Sequence, residues 1–396
     1  MTERLFTKDF ALNTCISFCC ALNYYLLLIA LDGFCQNTFH TTSAESGLAA
    51  GVYVIGGMLT RIFLGKYVEL VGRRRMLLMG LTYATAISCS YFFVSSLSVL
   101  LIVRFLHGMA YGINSTCTGD IVAKIVPPSR RGEGLGYFYL SITASMAIGP
   151  FLGMIIADGG NYTTLFAMGL SMYVAALVLA LFLKVPEETL SEEQKREARR
   201  FNLDNLFQRN AVPLGVTSMI FYFAYSGVLT FISGYSESIG LSSEAQYFFL
   251  VAALGTLISR FTTGRIYDKH GANIIVIPGF LMFIVGMSAF STTCNGLVLM
   301  LSGFFIGYSV SIVYSVCQAV VVSKNPAHRY GVTTSTFGAV SDLGTGLGPS
   351  ILGLIVTSFG YRDMYMSCVL IALMSMALYW GVYGRRSMSE RRTAST

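Results

Sequence analysis

The feature that most limits what this chain can fold into is a repeat. The stretch Arg61 to Arg75, R-I-F-L-G-K-Y-V-E-L-V-G-R-R-R, returns as Arg260 to Gly271, R-F-T-T-G-R-I-Y-D-K-H-G. Arg61, Gly65, Glu69 and Gly72 match Arg260, Gly264, Asp268 and Gly271 at a separation of 199 residues. The same offset pairs Pro127, Arg130 and Gly132 with Pro326, Arg329 and Gly331, Gly149-Pro150 with Gly348-Pro349, and Gly108 with Gly307. In a chain of 396 residues this means two parallel copies of one unit.

Each copy of the charged stretch lies between two long apolar runs, so it reads as a short hairpin joining two membrane helices. A spanning helix takes about 20 apolar residues. On that rule there are twelve spans, at 10–33, 45–65, 75–95, 97–122, 134–157, 163–184, 211–235, 244–265, 273–292, 296–323, 332–357 and 363–384. Composition excludes a soluble chain: 54% of residues are hydrophobic and only 12% charged, against about 25% in globular proteins. The first apolar run is too long for a cleavable signal peptide and is expected to remain as a helix. The nine cysteines show no CxxC or Cys/His spacing, so they read as small buried hydrophobes and no metal or other cofactor is expected.

The fold expected is therefore all-α and integral to the membrane, with six-helix bundles at 1–185 and 211–396 joined by a polar linker at 186–210. Linker charges of mixed sign suit i,i+4 pairs on a solvated helix. Basic residues set the orientation. Of the 27, Arg61, Arg104 and Arg260 fall within helices and Arg362 on the far side; the others gather on the side holding both termini, the linker and the hairpins. That side is expected to be cytoplasmic, and topology then explains the net charge of +7 without nucleic acid.

Several segments resemble the major facilitator superfamily, and within it the drug:proton antiporter (arabinose-efflux-like) branch. They are G-K-Y-V-E-L-V-G-R-R-R after the second span, R-F-L-H-G-M-A-Y-G in the fourth, R-R-G-E-G-L-G-Y-F entering the fifth, A-I-G-P-F-L-G within it and D-L-G-T-G-L-G-P in the eleventh. The resemblance runs through the whole chain. It implies a transporter that rocks one half against the other around a midplane site. It also implies a cytoplasmic latch made by Gly65, Glu69, Gly72, Arg73, Arg74 and Asp120, with Asp268 as the weaker second copy. Glu69 stands where the family usually has Asp, and Leu70 where it has a basic residue. A plain positive-inside cluster would explain the same arginines. The family's antiporter element corresponds to Gly149, Pro150 and Gly153, with Gly348 and Pro349 in the second half.

The fifth span also carries Ser141, Ser145, Gly149, Gly153 and Ala157, a row of small residues four apart that lets two helix backbones approach in lipid. Charges at membrane depth are costly and point to function. Asp32, Arg104, His107 and Asp342 are such residues, and they face Phe231, Gly303, Ile306 and Thr143 in the other half. One-sided charges are the better candidates for proton coupling, with a structural ion pair as the alternative. Family geometry puts Asn23, Tyr24, Tyr25, Asn114, Phe221, Tyr222, Tyr225, Tyr314 and Gln318 around the substrate. Ordinary aromatic helix packing is the other reading of that set.

The function expected is proton-coupled export of a small organic molecule from a bacterial-type cytoplasmic membrane, with protons, substrate and lipid as the partners of a monomer. The alternative is an importer or uniporter on the same fold. An enzyme would need a nucleophile–base or metal constellation, and none is legible.

Overall fold

The computed structural model describes residues 5–64, 67–127, 130–158, 160–185, 207–325 and 330–385. In hydrocarbon every backbone N–H and C=O must be satisfied within the chain, and long helices do this segment by segment. Among the described residues twelve helices are long and apolar enough to cross a membrane. They are α1 (Lys8–Phe39), α2 (Ser43–Leu64), α3 (Arg73–Ser90), α4 (Leu97–Ile125), α5 (Arg131–Asp158) and α6 (Tyr162–Phe182). The second set is α7 (Val212–Ser238), α8 (Ser242–His270), α9 (Asn273–Ser291), α10 (Gly296–Ser323), α11 (Tyr330–Phe359) and α12 (Tyr361–Tyr379).

Two boundaries differ from expectation for local reasons. α1 continues past Gly33 because its polar residues find partners: Gln36 Nε2 donates to Asp32 Oδ1 at 2.9 Å and Asn37 Nδ2 donates to the Tyr162 hydroxyl at 2.9 Å. The first hairpin contains its own short helix, Tyr67–Val71, which places Glu69 before the turn and not at the start of α3. Gly72 then turns the chain with φ 95°, as Gly271 does with φ 74° in the second hairpin, a region open to glycine at no steric cost.

Helix starts repeat at the same offset. Ser96 Oγ accepts from the Val99 N–H at the start of α4, and Asn295 Oδ1 accepts from the Val298 N–H at 3.0 Å at the start of α10. Contacts divide the chain into two units, Met1–Phe39 with Val52–Asn202, and His40–Gly51 with Leu203–Thr396. This departs from six helices and six in one segment, the first turns of α2, which group with the second unit. The cause is close backbone packing: a β-carbon on Gly47 would meet the Pro349 carbonyl, one on Gly51 the Gly346 carbonyl and one on Gly353 the Ser43 backbone. Most of the expected linker, 186–206, lies outside the described residues.

Within the first unit α1 packs on α5 and α6, and α3 on α4 and α6; within the second, α7 packs on α11 and α12, and α9 on α10 and α12. The first unit's core lies between α1, α3, α4 and α6 and includes Ile16, Leu77, Leu81, Ala110, Ile121 and Ala176. The small-residue row of α5 meets α1. Ser145 Oγ donates to the Phe18 carbonyl at 3.0 Å, and a β-carbon on Gly149 or Gly153 would come within 2.7 Å of Tyr25 Cβ or the Leu26 carbonyl. Gly348 of α11 lies in the same way against Phe223 and Ser226 of α7. Pro150 and Pro349 sit inside helices that run on through them.

Candidate functional site

The first unit holds a buried polar network where an apolar core would be expected. Arg104 and His107 lie one turn apart on α4, with no solvent exposure at all, and Asp32 of α1 is 2% exposed. His107 is held at both ring nitrogens: Nδ1 shares a 2.9 Å hydrogen bond with the Tyr91 hydroxyl, and Nε2 a 3.2 Å one with the Tyr173 hydroxyl of α6. Arg104 Nη1 donates to the same Tyr91 hydroxyl at 3.5 Å. Its guanidinium carbon lies 4.3 Å from the centre of the Tyr53 ring of α2, and the His107 ring meets Tyr53 edge-on at 5.2 Å. Asp32 Oδ1 accepts from Gln36 Nε2 at 2.9 Å.

Local sequence explains how these groups stay buried. Each long polar side chain needs a hydrogen-bond or cation–π partner in low dielectric, and α2, α6 and the turn Tyr91–Phe93 each supply a tyrosine. Gly108 lets α2 approach α4 there, since a β-carbon on it would meet the Tyr53 carbonyl. Sequence reasoning found Asp32, Arg104 and His107 but missed Gln36, Tyr53, Tyr91 and Tyr173. The repeat carried the signal, because the counterparts of these tyrosines are Ala252, Phe290 and Ala372.

Asp342 belongs to the second unit and is half-buried on α11. Tyr222 meets Tyr225 at 6.0 Å and Tyr314 at 5.6 Å, both edge-on.

Of the nine residues expected around the substrate, four are buried within their own units. Asn23 Nδ2 donates to the Gly169 carbonyl of α6 at 2.9 Å, which ties α1 to α6. Asn114 lies where α4 crosses Gly80 of α3. Phe221 packs on Phe280 and Phe283 of α9, and Tyr225 is 4% exposed. Tyr24, Tyr25, Tyr222, Tyr314 and Gln318 are half-buried.

At the hairpin end, Arg73 is buried at the start of α3 and Asp120 is half-buried near the end of α4. Arg74 turns away and donates to the Leu181 carbonyl at the end of α6, at 2.8 Å. Gly65 and the side chains of Glu69 and Asp268 lie outside the described residues. No group of three or more His, Cys, Asp or Glu able to hold a metal occurs among the described residues.

Known proteins share this architecture. The chain is 25% identical to an uncharacterised MFS-type transporter of Methanocaldococcus jannaschii over 83% of this chain and 86% of that one. It is 20% identical to the staphylopine export protein of Staphylococcus aureus, covering 85% and 87%, and 21% identical to multidrug resistance protein 2 of Bacillus subtilis, covering 90% of each. A bacterial homologue of the human lysosomal transporter Spinster, solved inward-facing and unoccupied, superposes with a TM-score of 0.77 at 15% identity over 96% of this chain and 98% of that one. The nucleoside transporter NupG does so with a TM-score of 0.74 at 12% identity, covering 94% and 99%. The profile described as Major Facilitator Superfamily matches residues 14–293 and 214–395. With twelve spans, a duplicated six-helix plan and that match, the chain belongs to the Major Facilitator Superfamily of membrane transporters.

Proposed function

We propose that this transporter is a proton-coupled exporter of small organic molecules, with Asp32 as the proton-binding carboxylate and Arg104 and His107 as its partners. The observation that carries the reading is the Arg104–His107–Tyr91–Tyr173 network, fully buried in one unit and replaced by apolar residues at the same places in the other. A permanent guanidinium in low dielectric is expensive, so its retention asks for a task beyond packing. Burial favours the neutral form of a carboxylate and a nearby guanidinium favours the charged form. A site moved between those influences takes up a proton on one side and gives it up on the other, and Arg keeps its own charge throughout.

Export is supported by relatives named as export or multidrug resistance proteins and by Gly149-Pro150 and Gly348-Pro349 in both halves. In this reading Arg73 and Asp120 belong to a cytoplasmic latch that sets conformational balance, both termini are cytoplasmic, and Asp342 is the next carboxylate to test should Asp32 prove only structural. The close fit of α5 on α1 keeps the proton route from leaking.

Inside-out vesicles carrying the protein and energised to a pH gradient provide the test. A transported compound discharges part of the gradient, read as recovery of fluorescence from a quenched amine dye, and the Asp32→Asn protein does not respond. Ethidium, tetraphenylphosphonium and benzoate form the first panel. Compounds that equilibrate across proteoliposomes without touching the gradient would move the reading to a uniporter.

A further inference from the structure

Three tyrosines from three helices form one aromatic cluster in the first unit, with a guanidinium at two of its members. Tyr24 of α1 lies nearly parallel to both others, at 5.3 Å and 25° from Tyr53 of α2 and at 5.2 Å and 18° from Tyr111 of α4. Tyr53 and Tyr111 are 5.9 Å apart and tilted by 38°, so Tyr24 lies across the pair. Arg104 sits 4.3 Å from the Tyr53 ring centre, and Arg61 sits 5.8 Å from that of Tyr111. Tyr53 is 1% exposed, whereas Tyr24 and Tyr111 are half-buried.

We propose that Tyr53 and Tyr24 are positioning residues for Arg104. The Tyr53 face holds the guanidinium in the buried network, and Tyr24 links that placement to whatever touches its own exposed side. Offset parallel rings constrain one another in tilt and position. A ligand that shifts Tyr24 therefore shifts the face on which Arg104 rests. The groups that feel this are those tied to Arg104 by hydrogen bonds: the Tyr91 hydroxyl, which His107 shares, and Tyr173 behind His107. The second unit has no equivalent device, since the counterparts of Tyr24, Tyr53, Tyr111 and Arg104 are Phe223, Ala252, Val310 and Gly303. The proposal rests on the proton-coupled reading above, and it goes further by assigning the link between ligand and charge.

The test separates an aromatic face from bulk. Proteoliposomes containing wild type, Tyr53→Phe, Tyr53→Leu, Tyr24→Phe or Tyr24→Leu are assayed for ethidium flux driven by a pH gradient and for downhill ethidium flux without one. The ratio of the two fluxes falls about tenfold or more in Tyr53→Leu, which loses a desolvated cation–π contact, and less in Tyr24→Leu, which acts through Tyr53; the Phe variants restore it. Equal loss of both fluxes, or an unchanged ratio in both Leu variants, overturns the proposal. Should Tyr53→Leu not fold, Tyr24→Leu at the half-exposed ring carries the same comparison. A second arm needs no transport: thermal unfolding of the purified protein in a double-mutant cycle of Arg104→Met with Tyr24→Leu. The two residues act together through Tyr53, so their effects are non-additive; strict additivity sinks the proposal. Should wild type move ethidium downhill but show no gradient-driven flux, proton coupling fails and the unfolding cycle still decides the positioning role.

Discussion

The two units share a frame and differ in what fills it. At the 199-residue offset, Gly56 and Gly255 face the carbonyls of Phe105 and Phe304, themselves a matching pair. Gly108 and Gly307 lie against the carbonyls of Tyr53 and Ala252, again a matching pair. Between these fixed crossings the first unit places Asp32, Tyr53, Tyr91, Arg104, His107 and Tyr173, and the second places Phe231, Ala252, Phe290, Gly303, Ile306 and Ala372. The room opened at Gly303 is taken by the Phe248 ring, which lies 5.3 Å from Phe290, and the Tyr235 hydroxyl donates to the Phe290 carbonyl at 2.9 Å. Backbone close approach thus holds the duplicated architecture, and side chains between the crossings are free to diverge. One unit carries charge and the other an aromatic core.

The largest expected effect tests whether the chemistry is one-sided. Asp32→Asn lowers gradient-driven flux about tenfold or more, and Asp342→Asn leaves it within about twofold. Proteoliposome transport reads both, and the reverse order would assign the proton to the second unit. Next comes the shared frame. Gly108→Ala and Gly307→Ala each push a β-carbon into a facing carbonyl and each cost about 3 kcal/mol, measured as matched losses in unfolding stability in detergent. If only one is costly, the crossings are not equivalent.

A smaller effect separates the fillings. His107→Leu leaves the Tyr91 and Tyr173 hydroxyls without their shared acceptor and donor, costing about 2 kcal/mol. The mirrored Ile306→Leu is a near volume-conserving change in an apolar core and costs under about 1.5 kcal/mol. The smallest effect concerns the starts of α6 and α12. Asn161 caps α6 by accepting from the Thr164 N–H at 3.1 Å, while its counterpart Gly360 enters α12 with φ 85°. Asn161→Gly costs only about a few tenths of a kcal/mol. Gly360→Ala costs about 1 kcal/mol or more, because φ 85° with ψ 174° is a region essentially confined to glycine. Both are read as shifts in unfolding midpoint.

The sequence by itself determined the twelve spans, the duplicated plan and the family. Each rests on a signal that survives in one dimension: about 20 apolar residues to cross hydrocarbon, and a fixed offset between repeated glycines, prolines and charges. It also singled out Asp32, Arg104 and His107, because a charge inside an apolar run is conspicuous without any structure. Tertiary structure decided what surrounds them. Tyr53, Tyr91 and Tyr173 look like ordinary aromatic packing in the sequence, and only the approach of α2 and α6 to α4 turns them into partners of a guanidinium and an imidazole. It likewise tied Asn23 of α1 to the Gly169 carbonyl of α6 and grouped the first turns of α2 with the second unit. Helical periodicity says which residues share a face, but which neighbour that face meets is set by packing between segments far apart in the chain.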